Sequence, residues 1–157
     1  VIYSKTACLF EAACKLAALI TQSGDTIERS LGEYGKHLGI AFQLVDDALD
    51  YESNSAELGK NVGDDLAEGK PTLPLIYALD QGNAEQKALI RTAIENGGLE
   101  HIEAITLAIN ETGALRYTHQ QAIAHAEQAK SALTLLPETP AKLALMFLAD
   151  YAVERSY

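Results

Sequence analysis

Gln43, Asp46, Asp47 and Asp50 are the residues of this chain whose types and spacing could do chemistry. On a helix, with about 100° between successive residues, the four fall within an arc of roughly 100°. Apolar side chains flank that arc: Leu31, Leu38, Phe42, Val45 and Leu49 on one side, Ile40, Leu44 and Tyr51 on the other. A solvated face would mix Lys and Glu into such positions. Here three carboxylates form a narrow seam on a helix that otherwise favours burial. Like charges in a buried seam repel one another and resist desolvation, so they require counter-charge. The helix itself offers only Lys36 on the same arc. A hard divalent cation resolves the conflict, and carboxylate-rich sites that also receive phosphate oxygens suit Mg²⁺. Gly39 and Gly32 continue the arc and predict open space for a ligand above the carboxylates. By spacing alone, an acidic and water-lined helix face accounts for the pattern equally well.

Other chemistries fit less. A calcium loop beginning at Asp50 puts Ser55 where Gly is needed and Asn61 where a bidentate Glu is needed. His37, His101, His119 and His125 share no ligand spacing and read as surface or partly buried histidines. Ser4 and Ser23 have no His-base pattern nearby. Tyr34, Phe42, Tyr77 and Phe147 sit at helical spacings that suit core packing.

The elements that must hold the seam are helices. The first is expected over 2–22, with an Ala-rich surface (Ala7, Ala12, Ala13, Ala17, Ala18) suited to close helix approach. The second, capped by Thr26, runs to about Tyr51 and carries the seam. Residues 52–70 lose helical periodicity and gain Gly, Asn, Ser and charge, which predicts one long polar loop of the functional or mobile kind. Pro71 suits the first turn of the next helix. Further helices are expected near 84–96, 99–112, 116–135 and 140–155, punctuated by Gly97-Gly98, Gly113 and Pro137. The fold class is therefore all-α, a helical bundle with one conspicuous loop.

Composition agrees. Apolar residues make up 48% of the 157 residues, with no Trp. Helix formers dominate over β-branched residues. A net charge of −10 provides no basic patch for a phosphate backbone, which argues against nucleic acid as a partner. No run of about 18 apolar residues predicts a transmembrane segment, and no signal-peptide pattern opens the chain. Cys8 and Cys14 point to different faces of one helix and are not expected to pair; two buried thiols suit a reducing cytoplasm. Val1 opens inside a helical pattern without a cap, so the chain is expected to be part of a longer one.

Three ordered motifs resemble the trans-isoprenyl diphosphate synthase family. They are Lys5-Thr6, FQLVDDALD from Phe42 to Asp50, and LGKNVGDDLAEGKPTLPL from Leu58 to Leu75. The last has the form found in long-chain enzymes that make quinone side chains. DDxxD alone is a weak signal, whereas the ordered series over some seventy residues is specific. The resemblance implies an isoprenoid-synthase-type bundle and Mg²⁺-dependent elongation of an allylic diphosphate with isopentenyl diphosphate, in a homodimeric cytoplasmic enzyme. It assigns Asp46 and Asp50 to Mg²⁺, with Asp47 assisting through water or a lysine. It assigns Lys5 and Lys60, and less directly Lys70, to the diphosphate. Thr6 and Gln43 would place oxygen dipoles near the allylic carbon, and Asp64 and Asp65 would order the loop. Residues 1–157 would be the C-terminal portion of the synthase domain. The family's first DDxxD motif and its isopentenyl diphosphate site precede the Lys-Thr pair and have no counterpart here, so this portion is expected to be inactive alone.

Two other classes compete. A class I terpene cyclase shares the fold, but its second metal motif mixes Asn, Ser or Thr with Glu rather than reading DDxxD. A non-catalytic partner subunit needs none of the series that is intact here.

Overall fold

The computed structural model describes residues 1–52, 62–96 and 99–155, and every regular element among them is helical. A π-helical turn, Tyr3–Ala7, leads into α1 (Cys8–Ile20) and α2 (Asp25–Glu52). Then come a single turn α3 (Asp64–Ala67), α4 (Leu73–Gln81), α5 (Ala84–Asn96) and α6 (Ile102–Glu111). Helix α7 (Ala114–Ala132) ends in a 3₁₀ turn, Leu133–Leu135, and α8 (Pro140–Glu154) follows. The all-α expectation holds. None of the described helices is long and apolar enough to cross a membrane.

The helices fall into two compact units, one of Val1–Val45 with Gln121–Arg155 and one built on Asp46–Gln120. Helix α2 contributes to both. In the first unit, Tyr34, Ala129, Leu133 and Ala149 form the core, and the Tyr34 hydroxyl donates to the Leu145 carbonyl at 2.9 Å. α2 begins one residue earlier than its expected cap: the carbonyl of Gly24, at φ 85°, accepts from Ile27 and Glu28. Thr26 is thus inside the first turn, where Asp25 and Glu28 oppose the helix dipole. Helix α8 starts as its sequence predicts, with Thr139 accepting from the Lys142 amide at 3.2 Å and Pro140 in the first turn.

The expectation of open space over the α2 glycines is wrong. A Cβ at Gly39 would stand 2.6 Å from the Cα of Ala7, one at Gly35 would meet the Phe10 carbonyl, and one at Gly32 would meet the Lys15 stem. These glycines let the backbones of α1 and α2 touch. Ala7 and Ala18 are buried on that side, while Ala12, Ala13 and Ala17 are exposed together with Leu9, Leu16, Leu19 and Ile20. Phe147, expected in the core, is 65% exposed. Cys8 and Cys14 are free, as expected, but only half-buried.

The second unit buries Leu66, Leu75, Ile90, Ile105 and Ile109 completely, with Tyr51 beside them. One turn of helix has no stability by itself. Burying a leucine contributes about 2 kcal/mol, and Leu66 supplies that for α3. The polar stretch over 52–70 is accordingly not one loop: Glu52 ends α2 and α3 interrupts the remainder. Pro71 lies outside the next helix, which takes Thr72 as its cap and Pro74 in its first turn. Residues 53–61 and 97–98, which carry Lys60 and the Gly97-Gly98 pair, lie outside the described residues.

Candidate active site

Within the first unit, the π-helical turn carries Lys5 and Thr6. Such turns carry an extra residue and shift the side chains that follow, and they are frequent at functional positions. The Thr6 hydroxyl donates to Oε1 of Gln43 at 2.6 Å. Gln43 is 3% exposed. Its neighbourhood is fixed by main-chain packing, because Ala7, next to Thr6, rests on Gly39, one turn before Gln43. Thr6 and Gln43, paired by the sequence reading, are therefore brought together. Lys5 is exposed on the same turn.

The second unit holds the carboxylates. Asp47 is 3% exposed, while Asp46 and Asp50 are half-buried. Asp50 turns toward the chain that follows: Oδ1 accepts from the Asp64 amide at 3.1 Å and Oδ2 from the Asp65 amide at 3.3 Å. The Asp50 carbonyl also accepts from the Gly63 amide at 3.1 Å. Burial raises the Asp50 carboxyl to about 6, and the two amides, which favour its ionised form, work against that shift. Asp64 and Asp65 thus hold the chain in order through their backbones. Lys70 forms ion pairs with Glu68 and, at 3.7 Å, with Asp65. Among the described residues, no group of three or more His, Cys, Asp or Glu is gathered tightly enough to hold a metal by itself.

Three arrangements were missed by the sequence reading. His37 and His125, 88 residues apart, meet Nδ1 to Nδ1 at 2.8 Å with stacked rings, and Glu33 lies 3.4 Å from His37 Nε2. Burial is the main reason that both histidines titrate below their ordinary value; Lys36 adds to it for both, and His37 adds to it for His125. In the second unit His119 contacts Glu52 at 2.8 Å, which raises its pKa. In the first, the Arg155 guanidinium lies 3.8 Å over the Phe42 ring and donates to the Phe42 carbonyl at 2.7 Å. Helical spacing carries no signal for contacts made across such separations.

A family model described as polyprenyl synthetase matches residues 1–135. The octaprenyl diphosphate synthase of Haemophilus influenzae is 52% identical over all of this chain, which covers 48% of that relative. That of Escherichia coli is 51% identical over 99% of the chain and 48% of the relative. A polyprenyl synthase structure from Roseobacter denitrificans superposes with a TM-score of 0.88 at 42% identity, covering 99% of this chain and 51% of that one. One from Caulobacter crescentus, complexed with calcium and isoprenyl diphosphate, gives 0.87 at 39% identity over 98% and 48%. The chain spans about half the length of the curated relatives it matches.

Proposed function

The chain belongs to the polyprenyl synthetase family, and we propose that it supplies the C-terminal, diphosphate-holding portion of a trans-polyprenyl diphosphate synthase of the octaprenyl kind. The substrates are an allylic diphosphate and isopentenyl diphosphate, and the product serves quinone side-chain synthesis. The observation that carries this reading is the 52% identity, over the whole chain, to an octaprenyl diphosphate synthase. In the proposal the whole enzyme is a cytoplasmic homodimer.

The reaction ionises the allylic carbon–oxygen bond. The isopentenyl double bond then attacks the allylic carbon, and proton loss restores an alkene. Lys5 and Lys60 hold the diphosphate as ammonium point charges, with Lys70 a further contact once it leaves Glu68. Thr6 and Gln43 act as one polar unit, since the hydrogen bond between them fixes where their oxygens point. In the proposal those oxygens face the allylic carbon as positive charge develops. The acidic set for Mg²⁺ is Asp46, Asp47 and Asp50. Its donor chemistry fits: all ligands are carboxylate oxygens, and Mg²⁺ takes one or two of them and completes its shell with water and phosphate oxygens. When bound, Mg²⁺ neutralises the leaving diphosphate.

The test is incorporation of radiolabelled isopentenyl diphosphate, by the 157-residue chain alone and by the chain co-purified with the N-terminal half of the Haemophilus influenzae relative. No turnover alone and long-chain product from the pair are expected. Robust product from the chain alone would overturn the half-site. No product from a stable pair would overturn the synthase reading.

A further inference from the structure

His37 on α2 and His125 on α7 are titratable groups that the proposed reaction does not use. They belong to one unit and meet Nδ1 to Nδ1 at 2.8 Å, with ring centres 5.1 Å apart. A neutral imidazole carries one N–H, so one ring donates across this contact and the other accepts. Glu33, one turn before His37 on α2, decides which. Its Oε2 lies 3.4 Å from His37 Nε2, and a carboxylate facing Nε2 favours the proton there. His37 Nδ1 is then the bare, accepting nitrogen, and His125 Nδ1 is the donor. Lys36 pairs with the same carboxylate at 3.1 Å. Both rings are half-buried, within reach of water.

We propose that His37 and His125 form an open two-histidine site for Zn²⁺ that bridges α2 and α7, with Glu33 as the positioning carboxylate behind His37. The ring spacing supports it. At about 2.0 Å per bond and the tetrahedral angle, two imidazoles on one Zn²⁺ have ring centres about 5 Å apart and nitrogens about 3.3 Å apart. The ring centres already stand at that separation. Closing the site asks the rings to tilt and the Nδ1 atoms to part by about 0.5 Å, without separating the helices. The carboxylate supports it too, because a metal-bound histidine ordinarily donates its other N–H to such a group, which fixes the tautomer and makes the bound nitrogen more basic. Binding then moves one proton, from Nδ1 to Nε2 of His125, and releases none. Burial keeps both rings in the neutral form that has a lone pair to give. Lys36 opposes a cation here, and its pairing with Glu33 offsets that charge. No third His, Cys, Asp or Glu completes a group of three among the described residues, so water takes the remaining positions. The site shares no residue with the acidic seam and does not rest on the synthase reading.

Two readouts on the untagged 157-residue chain test it, both with MgCl₂ in excess to fill the oxygen sites that prefer a hard cation. The first is Zn²⁺ affinity by calorimetry. His37→Gln and His125→Gln should each lower it by about tenfold or more, and Glu33→Ala by about tenfold. Glu33→Gln, which keeps an acceptor for the His37 Nε2 proton, should recover part of that loss. The second is proton NMR of the unsubstituted chain with Co²⁺, a paramagnetic ion that accepts the same tetrahedral nitrogen ligands. Its largest shifts should fall on the ring protons of His37 and His125. This readout needs no substitution, so it decides the matter even where a variant fails to fold. Absence of Zn²⁺ binding, or affinity unchanged in both histidine variants, would overturn the site. So would largest Co²⁺ shifts at His101 or His119. Equal affinities for Glu33→Ala and the parent chain would overturn the role given to Glu33.

Discussion

Two regions of the molecule, one in each unit, are held by different physics. Thr6 and Gln43, in the first unit, are placed by main-chain contact: Gly39 rests on Ala7, and a short side-chain bond completes the arrangement. Neither group titrates, and the contact tolerates no added atom. In the second unit Asp50 is placed by charge, through two amides at the head of a one-turn helix. Its carboxyl is raised to about 6 by burial. The first region is rigid because it is close-packed, and the second is ordered because an anion finds donors. Steric substitutions should therefore break the first, while charge changes should break the second.

The largest effect belongs to the charged region. In the longer enzyme, or in the chain paired with its relative's N-terminal half, Asp46→Ala should lower turnover by about two orders of magnitude or more. Asp46 is only half-buried, so the thermal midpoint should change little. A loss of activity that tracks a loss of folded protein would show that Asp46 belongs to the packing and not to the chemistry.

Next comes the packed region. Gly39→Ala would drive a Cβ to 2.6 Å from a main-chain carbon of Ala7, and neither backbone can yield without moving its helix. The expected cost is about 2 kcal/mol, a fall of roughly 6 °C in melting temperature. The Thr6–Gln43 bond should be disturbed with it. A variant as stable as the parent chain would mean that α1 and α2 do not touch at this point.

These contacts also mark where the sequence was legible. The expected ends of α5 are the observed ones, and its start is set locally, where the Asn83 side chain accepts from the Gln86 amide at 2.9 Å. The polarity of Gln43, Asp46, Asp47 and Asp50 identified the seam, because period and composition suffice for that. The α2 glycines do not open space as their pattern predicts, since a missing side chain looks the same whether a ligand or a backbone fills the gap. Pro71 was placed one cap too early because Thr72-Leu73-Pro74 offers a second, equally valid start. Phe147 was assigned inward by spacing alone, which cannot say whether another layer covers a face. The His37–His125 meeting joins two helices 88 residues apart, and nothing local encodes it.

A smaller effect is expected from Gly63→Ala. Its φ of 86° disfavours any Cβ, but the atom met at 2.5 Å is only the terminal methyl of Ile102, which can swing away. About 1 kcal/mol should be lost, less than for Gly39→Ala, where a main chain stands in the way. If the order of these two were reversed in urea unfolding, the contrast between a packed region and a yielding one would be wrong.

The smallest effect separates the two units by sign. Burial keeps His37 and His125 neutral in the folded chain, with Lys36 adding to the effect and Glu33 opposing it at His37. The unfolded chain therefore binds more protons just below the ordinary histidine value of about 6.5, and stability falls as pH drops through that value toward the lower folded ones. His119 behaves oppositely. Its bond to Glu52 raises its pKa against the opposing effect of burial, so its contribution is complete below about 6.5 and is lost as pH rises through the folded value. Each partner of that pair is about a third exposed, and solvent screening limits its worth to about 0.5 kcal/mol. In a proton NMR titration His119 should protonate above the ordinary value and the other two below it. His119→Gln should flatten the decline in stability on the alkaline side while leaving the acid side unchanged. His125→Gln should do the reverse, since it removes one of the two histidines that burial keeps neutral. If both substitutions flattened the same limb, the two clusters would not be the independent, oppositely tuned groups that their surroundings make them.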